Sequence, residues 1–178
     1  MTVSAEWAYK DPDFARYPGV GYHQRLKPGT LFGAERRAAR ETSLNEVRRI
    51  MHLNIPVKVI ENPRGVIGTR IRKASQSVQP YELGDDASKV TDLWFTDCQA
   101  QPIKDLWLVK EAWQRVPGRI VEWPKGSGIM RERWGNQTDS GQSNATPSDD
   151  RWDDRSKTFD GIADALVDAV DAYLTRLY

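Results

Sequence analysis

A helix-patterned segment that runs straight into a β-branched strand most restricts what this chain can fold into. In AERRAARETSLNEVRRIMHLN, residues Ala34, Ala38, Leu44, Val47 and Met51 fall on one helical face, and arginines and glutamates take the other. The segment IPVKVIE, residues 55–61, then gives a short strand behind a proline. A helix feeding such a strand is half of an α/β crossover unit, so the spacing predicts an α/β fold built on a parallel sheet.

The rest of the chain divides around this unit. Residues 1–33, with Pro12, Pro18 and Pro28 among interleaved aromatics, read as an irregular segment pinned by its rings. Residues 34–61 are the helix–strand unit. Residues 62–134 form a β-rich part, with SVQPYELG, VTDLWF, IKDLWLV and RIVEW as short strands between Gly, Pro, Asp and Lys. The echo between TDLWF and KDLWLV predicts two adjacent strands rather than a repeat. Residues 135–157 are almost free of apolar side chains and read as a mobile loop. A closing helix over 158–178 places Phe159, Ile162, Leu166, Val170, Tyr173 and Leu177 at helical spacing, with Thr158 as its N-cap.

Composition narrows the function classes. The 178 residues suit one domain. Lys+Arg 26 against Asp+Glu 25 leaves a net charge of +1, so a nucleic-acid site has to be a local basic patch. A lone cysteine, Cys98, with His23 and His52 excludes a disulfide framework and makes a poor zinc inventory. Cys98 reads as a small buried or half-buried side chain, and the cytoplasm as the compartment. No apolar run approaches the roughly 20 residues that a bilayer requires.

The chemistry concentrates in VIENPRGVIGTRIRK, residues 59–73. Open α/β sheets hold ligands at the carboxyl ends of their strands, which is where Glu61 falls. A protonated glutamate there can donate to a pyrimidine ring nitrogen and accept from an exocyclic amine, while an arginine reaches the ring carbonyl. If TRIRK is extended, Arg70 and Arg72 share one face and Lys73 takes the other. The commoner reading of such a cluster is a paired carboxylate that holds a loop. Asn62-Pro63 also reads as a simple turn. The aspartates at 149, 150, 153 and 154 read as a solvated loop face, with a divalent-metal site as the outside option, and Trp134 and Trp152 as core or sheet-face rings or, alternatively, base-stacking platforms.

Three segments in order carry a resemblance: IPVKVIENPRGVIGTRIRKASQSVQPYELGDDASKVTDLWF, RIVEWPKGSGIMRERWGNQTDSGQ and RSKTFDGIADALVD. Together they resemble the C-terminal two-thirds of the DNA cytosine-5 methyltransferase-like proteins common in phages and prophages, from about Ser4 to Asp168. The resemblance implies an incomplete Rossmann-like methyltransferase domain with a β-rich, target-facing half and a C-terminal helix. It also implies that Glu61, with Asn62 beside it on the substrate side, engages a flipped cytosine and that Arg70 or Arg72 meets its carbonyl or the backbone; the near-neutral charge predicts weak DNA binding on one local patch of Arg64, Arg70, Arg72 and Lys73. Pro63 stands where the family's element has valine.

The family adds a cysteine thiolate from a Pro-Pro-Cys element to the ring and takes its methyl group from S-adenosylmethionine. This sequence has neither that element nor the glycine-rich turn and acidic residue that hold the cofactor, and Gly19 and Gly21 do not replace them. The resemblance therefore implies a fragment or shortened homologue, inactive alone and binding no cofactor by itself. Its partners would be DNA, weakly, and a separately encoded N-terminal half or a second copy. A non-catalytic phage accessory protein that binds DNA or a host protein is the alternative.

Overall fold

The computed structural model describes residues 31, 33–144 and 158–177. Helix α1, Gly33–Met51, buries only its second half: Leu44 and Met51 are sealed and Val47 is partly covered, whereas Ala34 and Ala38 are exposed. Two methyl groups among arginines offer too little apolar area to hold the first turns on a core. Strand β1, Lys58–Pro63, follows. The Lys58 ammonium turns inward and donates to the carbonyls of Leu53, Ile55 and Asp97, closing the strand's amino end.

Next come the five-residue helix α2, Val66–Arg70, strand β2, Gln76–Val78, and a 3-10 turn at Pro80–Leu83. Strand β3, Thr91–Thr96, is buried at all six positions. The sheet order is β1-β3-β2, and both neighbouring pairs are antiparallel. The predicted parallel pairing is therefore not found among the described residues. Strands β1 and β2 do run the same way, but the chain through α2 sets them two positions apart and β3 fills the gap in reverse. Among the described residues this sheet is therefore purely antiparallel.

Both faces of the sheet are covered, giving three layers. On one face Trp94 and Ile60 meet Leu44 and Met51 of α1 and Ile67 of α2. On the other, Val59, Val78, Leu93 and Phe95 pack with Leu106 and Leu108 and with Ile162 and Ala165 of helix α3, Asp160–Leu177. The chain is thus of mixed α and β class.

Three local expectations need correction. SVQPYELG is a strand only over Gln76–Val78 and then a 3-10 turn. KDLWLV is no strand: the Gln76 side-chain amide takes both the N–H and the carbonyl of Leu108, replacing the ladder a strand would have supplied. At α3 the first helical carbonyl belongs to Phe159, not Thr158, and the capping oxygen comes from Asp85, which accepts from the Gly161 amide at 3.0 Å.

A second sheet is the hairpin of β4, Arg119–Glu122, and β5, Met130–Arg133. It is fastened to the body by Trp134, whose ring stacks on Tyr81 at 3.8 Å and whose Nε1 donates to Val116 O. Trp134 thus has a ring partner within the chain. Residues 135–144, predicted to be mobile, are pinned by bonds from Gly135 N to Asp86 and by the reciprocal pair between Asn136 and the Ser88 backbone. The expectations for residues 1–30, for Trp152 and for the aspartates at 149–154 lie outside the described residues. No helix among the described residues is long and apolar enough to cross a membrane.

Candidate functional site at the carboxyl end of the first strand

Alternation along β1 sends Val59 and Glu61 toward α3 and Ile60 and Asn62 toward α1. Glu61 lies opposite Leu93, half-buried. Burial pushes its carboxyl group above the usual glutamate range, and the nearby Lys89 ammonium pulls it part of the way back. Among the described residues nothing donates a hydrogen bond to this carboxyl group. Lys89 also sits 5.6 Å from the centre of the Phe159 ring. Lys89 is the functional candidate that spacing alone misses, because it is brought to Glu61 by the antiparallel register of β3.

The opposite face of the same strand end is occupied differently. Asn62, Asp92 and Ser77 align across the three strands. Ser77 donates to Asp92 at 2.6 Å, and one Arg64 nitrogen reaches both Ser77, at 3.0 Å, and Asp92, at 3.4 Å. Asp92 is buried, so Arg64 serves first to compensate a carboxylate that would otherwise be costly. The Asn62 amide donates to Pro63 O.

The two downstream arginines do not join Glu61. TRIRK is not extended: Arg70 ends α2, exposed, and its carbonyl accepts from Arg48. Arg72 lies on the α1 side, where its carbonyl accepts from the Trp94 indole. Its guanidinium donates to Ala100 O at 2.8 Å and Phe95 O at 3.3 Å, toward the far end of β3. Burial lowers its pKa, with Asp97 opposing the shift. The sheet separates Arg72 from Glu61. Lys73 is exposed. Of the predicted basic patch, Arg70 and Lys73 present unengaged side chains, Arg64 presents a mostly exposed one, and Arg72 is engaged internally.

Cys98 is exposed rather than buried, on the turn after β3 that the Asp97 carboxylate holds through Gln99 N and Gln101 N. That turn follows the end of β3 that pairs with Lys58, away from Glu61. Among the described residues no three His, Cys, Asp or Glu side chains group to hold a metal ion. Nor do these residues fit S-adenosylmethionine. The helix after β1 has five residues and its N-cap makes no side-chain hydrogen bond, so the strand-to-helix turn offers no long helix N-terminus for the cofactor's charged groups.

A scan against protein-family models, a search of curated proteins and a search of solved structures each return no match for this chain.

Proposed function

We propose that this chain is the base-handling part of a DNA cytosine-5 methyltransferase-type domain. In this reading Glu61 meets the Watson–Crick edge of a flipped cytosine, and the thiolate nucleophile and cofactor site come from polypeptide outside these 178 residues. The observation that carries the reading is Glu61 itself: a half-buried carboxyl group whose burial favours its protonated form, without a hydrogen-bond donor among the described residues, on the fourth of six residues of a strand whose outer edge has no partner among them. A protonated carboxyl group donates once and accepts once, which matches the ring nitrogen and exocyclic amine of cytosine. In this reading the positive charge beside Glu61 is that of Lys89 rather than of Arg70 or Arg72. S-adenosylmethionine supplies the methyl group in the resembled family.

The test is co-expression with a fragment that carries the glycine-rich turn and the Pro-Pro-Cys element. A stable complex that methylates cytosine in DNA, and loses that activity with Glu61→Gln, supports the reading. A chain that ignores the fragment and binds no DNA contradicts it.

The second reading, a non-catalytic accessory protein, is favoured by the internal engagement of Arg64 and Arg72. In that case the carboxyl group and arginines are inherited architecture. DNA binding that survives Glu61→Gln, without any response to the fragment, is its signature.

A further inference from the structure

Along the flank of α3, where the helix meets the segment 105–113, lies an open groove of about 250 Å³. Ala165, Ala169 and Ala172 recur along one stripe of the helix and leave room above it. Trp107 and Trp113 line the groove beside this stripe, and Trp107 is 51% exposed, a large indole surface left uncovered among the described residues. Asp105 and Asp168 line the same groove. The cation that also lines it, Arg176, donates to the backbone carbonyl of Asp105 at 2.8 Å and pairs with neither carboxylate. Of the charged residues of α3 only Asp168 and Arg176 line the groove, so with Asp105 it holds two carboxylates against one guanidinium.

We infer that this groove is a docking site for an arginine side chain presented by a partner polypeptide. Indole faces attract a cation, and a carboxylate beside them supplies a charged acceptor. A guanidinium suits the pair better than an ammonium, because it stacks flat on an indole and offers a planar fork to a carboxylate. The small alanine side chains admit the three-methylene stem of arginine along the helix. This site is independent of Glu61 and of the reading proposed for it.

The experiment uses the full chain, ¹⁵N-labelled, with the Trp107 indole N–H assigned through Trp107→Phe. It is titrated with the blocked tripeptide Gly-Arg-Gly and with its citrulline counterpart, which keeps the shape and removes the charge. The Trp107 signal should shift and saturate with the arginine peptide, and the citrulline peptide should bind about tenfold more weakly. Asp168→Asn should weaken the arginine peptide at least about threefold with the melting temperature unchanged, since Asp168 is exposed and unpaired. Equal titration by the two peptides, no saturation, or an Asp168→Asn variant that binds as the parent does overturns the inference.

Discussion

Asp85 and Gly161 are joined across the core by a hydrogen bond from the Gly161 amide to the Asp85 carboxylate at 3.0 Å, which sets the first turn of α3 on the 3-10 turn at Pro80–Leu83. The approach is so close that a Cβ on Gly161 would overlap the carbonyl oxygen of Leu83. That oxygen is backbone and cannot swing aside. Gly161→Ala should therefore displace α3 and cost on the order of 3 kcal/mol, as overpacking does. Asp85→Ala removes only the cap and should cost about 1 kcal/mol. Denaturant melts of the two variants check the order, and an Asp85→Ala loss equal to that of Gly161→Ala would refute it.

Glu61 predicts a pH dependence whose sign follows from its environment. Its folded-state pKa is raised, so the folded protein holds this proton more tightly than the unfolded chain does. The associated stability is complete below the unfolded value and is lost as pH rises through the folded one. Glutamine mimics the protonated group. Glu61→Gln should match the parent in melting temperature near pH 4 and exceed it near pH 8, by less than about 1 kcal/mol after solvent screening. A variant less stable than the parent at pH 8 would mean that the ionised carboxylate is held by a partner.

Arg72 is expected to behave as a structural residue. Arg72→Ala removes two charge-assisted bonds to the carbonyls of Phe95 and Ala100, at about 3 kcal/mol in total. DNA affinity should be unchanged. Lysine should restore little, because an ammonium cannot reproduce a fork that bridges two carbonyls. If DNA binding falls while the melting temperature holds, the guanidinium does reach nucleic acid.

These positions show what was legible in the sequence. The buried seam Leu44, Val47 and Met51 and the Ile162, Leu166, Val170 stripe of α3 are visible because burial repeats at helical spacing. Strand β3 is visible as an apolar run. KDLWLV is just as apolar, yet it forms no strand, since Gln76 satisfies the Leu108 backbone from a distant position that no local pattern can reveal. That Glu61 lies on a strand is legible, but the strand runs two residues past it to Pro63, and the partners of guanidiniums are not legible. Arg64 and Arg72 are eight residues apart by number and end on carbonyls and carboxylates fixed by the register of β3. The same register brings Lys89, not an arginine, to Glu61.

The last prediction concerns the outer edge of β1. In an antiparallel ladder alternate residues turn their N–H and carbonyl groups to the neighbour and the others turn away, so half of β1's backbone groups face outward. Among the described residues β3 is its single neighbour. Ile50, Leu53 and Ile55, on the approach to this strand, are each at least 38% exposed. A strand covered on both faces, with a bare edge and apolar residues beside it, offers a template for another strand. Hydrogen exchange on the chain alone should show alternation along residues 58–62, with outward amides fast and inward amides slow. Adding the co-expressed fragment should slow the outward amides by at least about tenfold and leave the inward ones unchanged. If size-exclusion shows dimers in the fragment's absence, the same amides should be protected in a concentration-dependent way. Uniform protection of β1 in dilute monomer would mean that the edge is already paired by the chain itself, and the partner assigned to it would then have nowhere to bind.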